Sequence, residues 1–182
     1  MDAILNFDMS ILNFIYDSVR CAFLDYFMPI VTLFGESGIF FICIAVILML
    51  FRKTRKTGFV LSLSLIIGLI VCNLTLKPII ARPRPYTVRQ DVILLVERLS
   101  DYSFPSGHTV AAFEASTVFM KRNRIAGLCF LILAVLIAFS RLYLFVHYPT
   151  DIIAGIIIGT ASGFAACGVV DAIYNKFIQK EI

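Results

Sequence analysis

The chain has 182 residues, 60% of them hydrophobic and 15% charged, with a formal net charge of +4 at pH 7. A soluble domain would carry about 25% charged residues, so the composition excludes one. It leaves an all-α integral membrane protein, a single domain over residues 1–182, with no nucleic-acid partner expected.

In chain order, the first pattern is polar. Asn6, Ser10, Asn13, Asp17 and Arg20 recur three or four residues apart, which is one face of a helix. Asp25, Pro29, Thr32 and Glu36 repeat that stripe more weakly. Residues 1–35 are therefore expected to form two amphipathic helices lying in the membrane interface. The apolar side of the first (Ile4, Leu5, Ile11, Leu12, Ile15 and Val19) should enter lipid. The alternative lets the second helix cross. No basic segment precedes an apolar core here, so no cleavable signal peptide is expected.

Five apolar stretches follow, over 37–51, 58–76, 109–120, 125–146 and 152–170. A helix needs about 20 residues to cross the hydrocarbon. The third is short unless it begins at Ser106, and the first needs Arg52 and Lys53 to reach out to the interface. Residues 37–175 thus read as a compact transmembrane catalytic bundle, giving five transmembrane helices, or six if the second N-terminal helix crosses.

Cations set its orientation. Arg52, Lys53, Arg55 and Lys56 form one cluster, Lys121, Arg122 and Arg124 another, and Lys176 and Lys180 close the chain. If five stretches span in turn, these share a side, which the positive-inside rule makes cytoplasmic. The other side nevertheless carries Lys77, Arg82, Arg84, Arg89, Arg98 and Arg141. That breach calls for an anion such as phosphate. Asp91, Glu97 and Asp101 are the alternative partners, above all for Arg89 and Arg98.

Five cysteines lie singly in or near apolar stretches and imply neither a disulfide nor a metal. Tyr26, Tyr86, Tyr102, Tyr143 and Tyr148 fall near span ends as candidate interface anchors.

Three short blocks carry the chemistry: Lys77 with Arg84-Pro85, then Pro105-Ser106-Gly107-His108, then Ser140-Arg141 with His147 and Asp151. They read K-x6-R-P, P-S-G-H and S-R-x5-H-x3-D. Pro78, Pro83 and Pro85 should break regular helix and stiffen an extended turn that carries Lys77 and Arg84. Arg84 offers a planar fork to phosphate oxygens and Lys77 a compact charge. Ser106 is a plausible helix N-cap, and Gly107 clears space where an anion approaches exposed N–H groups. His147 and Asp151 are four residues apart. Pro149-Thr150 begins a helix between them, so Asp151 can hold one ring nitrogen and leave the other free. A structural His–Asp cap is the plain alternative.

These blocks resemble the signature of the type 2 phosphatidic acid phosphatase superfamily, matching without substitution and in the family's order. The resemblance runs from about residue 37 to the C-terminus. It implies a membrane lipid phosphatase that needs no metal or other cofactor and attacks a lipid phosphate or diphosphate. His147 would be the nucleophile and Asp151 its orienting partner, while His108 would protonate the leaving oxygen. Lys77, Arg84, Ser106, Gly107 and Arg141 would hold the phosphoryl oxygens. Candidate substrates are undecaprenyl diphosphate, phosphatidylglycerol phosphate and phosphatidic acid, hydrolysed at the extracytoplasmic face of the cell membrane. An anion transporter or channel would use the same cations but leaves the histidines unexplained. A non-catalytic lipid-phosphate binding protein would be expected to have lost a histidine.

Four features lie outside the signature. Arg82 suits a headgroup contact as well as catalysis. Glu114, roughly mid-membrane, is a functional candidate by its depth, or else makes a structural hydrogen bond, for instance to Asn73. Gly155, Gly159, Gly163 and Cys167 continue from Asp151 as a small-residue ladder for close helix packing. Residues 86–104 hold Val92, Ile93, Leu94, Leu95, Val96 and Leu99 among charges. They suit an interfacial cover beside the site or a buried strand or helix.

Overall fold

A computed structural model describes residues 2–178 and contains helices and loops, with no strand among those residues. Helix α1 (Asp2–Phe14) continues with π-helical winding over Ile15–Val19 and is followed by α2 (Ala22–Leu33). A turn with positive φ at Ser37 and Gly38 leads into α3 (Ile39–Leu50). Helix α4 (Arg55–Gly68) winds on through π-helical Leu69–Leu76 into the short α5 (Lys77–Ile80). One turn, α6 (Pro85–Val88), opens the long site loop. Helices α7 (Gly107–Arg122), α8 (Arg124–Tyr143) and α9 (Pro149–Ile178) complete the bundle.

Four helical stretches are long and apolar enough to cross a membrane: Ala22–Leu50, Arg55–Val88, Arg124–Tyr143 and Pro149–Lys176. Helix α7, at 16 residues, is not among them. It packs against α3, α4, α8 and α9 and is buried almost continuously from Thr109 to Phe119. Neighbouring helices rather than lipid surround it, so Glu114, Ser116 and Thr117 need not be apolar. The large exposed apolar side chains lie on the outer helices instead, among them Ile42, Val46, Ile66, Ile132 and Ile157.

The bundle has two distinct ends. At one, Asp171 of α9 accepts from Lys56 (2.7 Å) at the start of α4 and from Arg122 (2.7 Å) at the end of α7. The cation clusters around Lys56 and Arg122 therefore share an end, as their spacing predicts; Lys180 lies outside the described residues. At the other end all three signature blocks meet. The core between is built on Phe41, Val60, Leu61, Ala115, Val118, Ala134 and Ile137. The glycine ladder seats α9 on α7. A Cβ on Gly155 would lie 3.0 Å from the Ser106 carbonyl, and one on Gly163 2.7 Å from Thr117 Cβ.

Three expectations change. Helix α1 does not give its whole apolar side to lipid. Leu12 and Ile15 are buried against Tyr143, Leu144, Phe145, Val146 and Tyr148, while Ile4, Phe7 and Phe14 are exposed. The bundle's site end offers α1 an apolar seat that outcompetes lipid for those two side chains. Tyr86, Tyr143 and Tyr148 belong to that seat and are buried, not interface anchors; Tyr26 and Tyr102 remain exposed. Pro78 does not end its helix. The wider π-helical winding just before it accommodates the missing N–H, and the chain turns only at Ala81, with φ 48°.

Candidate active site

A cavity of about 460 Å³ opens at the site end, lined by Lys77, Arg84, Gly107, His108, Arg141 and His147. Ser106 and Asp151, the other two candidates, are fully buried beside His147 and the first turn of α7. Apolar residues Ile42, Leu65, Leu69, Val110 and Ala111 line the same cavity. Cationic side chains and a greasy wall thus share one space.

The proline-stiffened turn fixes Arg84. Its Nη1 donates to the Val146 carbonyl (2.7 Å), its Nε to the Asp101 carbonyl (2.9 Å) and its Nη2 to Asp101 Oδ1 (2.5 Å). Lys77, from the end of α4's continuation, meets the other Asp101 oxygen. Burial alone would raise the Asp101 pKa, but Lys77 and Arg84 outweigh it and hold it down to about 2. Asp101, read in sequence as a neighbour of Arg89 and Arg98, therefore pairs with two signature cations. Arg89 pairs instead with Asp17 (2.9 Å) and Asp91 (3.2 Å), and Arg98 lies over the Tyr86 ring.

His147 follows the end of α8, and Asp151 sits in the first turn of α9. The ring Nδ1 lies 3.4 Å from Asp151 Oδ2. The Nε2 lies 3.3 Å from Arg84 Nη1. A guanidinium has only donors, so Nε2 faces it with its lone pair and Nδ1 carries the proton toward Asp151. Burial first, with Arg84 and Arg141 adding to it, pushes the His147 pKa down to about 3, although Asp151 pulls the other way. The imidazole is therefore neutral near pH 7. Asp151 Oδ2 also accepts from Tyr148 N–H (2.9 Å) and from the Ser103 hydroxyl, which lies 3.5 Å from Nδ1. Ser103 was invisible in the sequence: a serine ahead of the P-S-G-H block has no marker of its own.

Ser106 caps α7, accepting from Thr109 N–H at 3.4 Å. A side chain on Gly107 would come 3.2 Å from Asn73 Oδ1. His108 projects into the cavity, and its Nε2 lies 3.4 Å from Glu36 Oε2 without hydrogen-bond alignment. A Cβ on Gly35 would sit 2.6 Å from the His108 ring, so this glycine lets the α2–α3 turn close over it. Glu36, read as part of an interfacial stripe, lines the cavity. Arg141 is 2% exposed and donates to Thr32 (2.5 Å), while its Nε and Nη2 find no partner among the described residues.

The features outside the signature also resolve. Arg82 contacts Asp151 rather than a headgroup (2.6 Å). Glu114 lies against Gly68, where a Cβ would strike its carboxylate, and its Oε1 has no partner among the described residues; Asn73 faces Gly107 instead. Val92, Leu94, Leu95, Val96 and Leu99 pack as irregular chain onto the Tyr143–Tyr148 cluster. Leu99 and Asp101 reach the cavity wall.

Known proteins resemble this chain in sequence and in fold. The chain is 31% identical over 146 residues to an undecaprenyl-diphosphatase of Sulfolobus acidocaldarius, covering 80% of this chain and 70% of that protein. The crystal structure of Aquifex aeolicus LpxE superposes with a TM-score of 0.79 at 28% identity, over 89% of this chain and 95% of that one. A transmembrane PAP2-type phosphatidylglycerolphosphate phosphatase from Bacillus subtilis superposes with a TM-score of 0.79 at 27% identity, over 95% of this chain and 89% of that one. The sequence model of the PAP2 superfamily matches residues 57–174, from the start of α4 to near the end of α9. With all three signature blocks converging on one cavity inside that stretch, the chain belongs to the PAP2 superfamily and is a membrane phosphatase.

Proposed function

We propose that the protein removes the terminal phosphate from a lipid phosphate or diphosphate at the extracytoplasmic face, through a phosphohistidine on His147. The observation that carries this reading is the His147 ring. Its Nε2 lone pair is turned to Arg84 at the wall of the cation-lined cavity, while Nδ1 is held on Asp151. In the first step Nε2 attacks phosphorus and the bond to the leaving oxygen breaks. That oxygen takes a proton from His108. In the second step water attacks phosphorus, gives a proton to His108, and the P–N bond breaks to release inorganic phosphate. Lys77, Arg84 and Arg141, with the N–H groups behind Ser106 and Gly107, stabilise the charge on the phosphoryl oxygens. The apolar wall of Ile42, Leu65 and Leu69 suits the start of a lipid tail. Among the three candidate lipids, the names of the relatives favour undecaprenyl diphosphate and phosphatidylglycerol phosphate.

Purified protein with EDTA present should release phosphate from one of these lipids, and acid quenching with labelled substrate should trap a phosphorylated chain. His147→Ala should cost about a thousandfold or more in kcat, as loss of a nucleophile does. Substantial turnover by that variant would defeat the reading. A panel of the three lipids ranks the substrates. Anion flux through liposomes without hydrolysis would point to a transporter.

A further inference from the structure

Asp8 lies on α1, far outside the stretch that the family sequence model matches, yet it is 0% exposed. Its Oδ1 accepts from Thr150 N–H (3.0 Å), and its Oδ2 from the Thr150 hydroxyl (2.6 Å) and Arg82 Nη2 (2.6 Å). Arg82 Nη1 in turn donates to Thr150 Oγ1 (2.8 Å) and to Asp151 Oδ1 (2.6 Å). The guanidinium lies 3.7 Å over the Tyr148 ring. Both terminal nitrogens of Arg82 are thereby held, and Nη1 rests on the carboxylate that holds His147.

We infer that Asp8 and Arg82 are positioning residues for the reaction at His147, a chain in which the N-terminal helix sets the charge and angle of Asp151. Arg82 alone would neutralise Asp151 and weaken its hold on an imidazole that gains positive character during attack. Asp8 supplies the balancing charge, so the trio of Asp8, Arg82 and Asp151 stays one unit negative. Asp151 can then present Oδ2 to Nδ1 while Arg82 occupies Oδ1. A surface anchor for α1 would not need a carboxylate using both oxygens on one residue of the α9 cap and one arginine.

This inference rests on His147 being the nucleophile. Asp8→Asn keeps the shape but removes the balancing charge, and in either amide orientation its NH2 faces a donor, the Thr150 N–H or else Arg82 with the Thr150 hydroxyl. Asp8→Asn and Arg82→Gln should each lower kcat about tenfold or more, with KM within about twofold. The double variant should lose no more than the worse single one, because coupled residues are non-additive. Losses that multiply, a change confined to KM, or a lower melting temperature with kcat intact would overturn the inference. If Asp8→Asn does not accumulate, Arg82→Gln decides alone, and an unchanged kcat overturns it. His147→Ala, assayed alongside, separates the two failures. An active His147→Ala defeats the mechanism, whereas a dead one beside fully active Asp8 and Arg82 variants defeats only this inference.

Discussion

Asp101 places a carboxylate on the two cations that a substrate phosphate would use. Its pKa of about 2 keeps it charged at any working pH. If Lys77 and Arg84 hold the phosphoryl group, Asp101 competes with it. Asp101→Asn should then tighten competitive inhibition by inorganic phosphate several-fold, measured as Ki in a hydrolysis assay; an unchanged Ki would mean that Asp101 yields at no cost. His147 carries a pH signature of a different kind. Its folded pKa is about 3, against about 6.5 for an exposed histidine. As pH falls below that higher value, the unfolded chain takes up a proton that the folded site refuses. Stability from this group is thus complete above about pH 6.5 and is lost progressively as pH falls toward 3. Melting temperatures in detergent across that window should decline for the wild type and less steeply for His147→Gln.

Among the elements, the α7–α9 contact bears most on the site, because it carries the Ser106 cap and Asp151 side by side. Ser106 N–H donates to the Asp151 carbonyl at 3.2 Å. A Cβ on Gly159 would lie 3.0 Å from Phe113 Cβ. Gly159→Leu should therefore push the helices apart, costing about 1–3 kcal/mol as overpacking does, and should lower kcat with the melting temperature. A variant equally active and stable would show that this seam has slack. The seam was legible in the sequence because glycines at every fourth position leave a periodic trace. So were the Ser106 cap and the Pro149 helix start, which depend on neighbours along the chain. What was not legible came from folding back. Asp8, Glu36 and Ser103 come near the site only because α1, the α2–α3 turn and the irregular loop of residues 89–106 fold back onto that end of the bundle. Nothing in their local sequence distinguishes a polar residue that meets water from one that meets Arg82, His108 or Asp151.

On the scale of the whole molecule, the two ends of the bundle differ in how their charge is balanced. One end pairs Lys56 and Arg122 through Asp171 and leaves Arg52, Lys53 and Arg55 on the same end. The other gathers Lys77, Arg84 and Arg141 around a cavity. On the proposed orientation, which rests on the positive-inside rule, the cavity would face outside. Gln90, exposed in the site loop, tests this. In a background with the five native cysteines replaced, Gln90→Cys should react with an impermeant thiol reagent on intact cells. Labelling only after lysis would invert the orientation. The helices α1 and α2 reach the bundle at that same end, through Asp8 on Thr150, Asp25 on Tyr143 (2.7 Å) and Thr32 on Arg141.

Arg141 holds a further consequence. A guanidinium 2% exposed, with Nε and Nη2 unpaired among the described residues, is an expense that the resting fold bears. An oxyanion in the cavity would supply both missing acceptors, so occupancy and folding are linked by mass action. Vanadate or phosphate should raise the melting temperature in proportion to the logarithm of its concentration once above Kd. Arg141→Met should remove most of that gain while melting higher than wild type in anion-free buffer. The protein would then be least stable when idle, and its own product would serve as its thermal protectant.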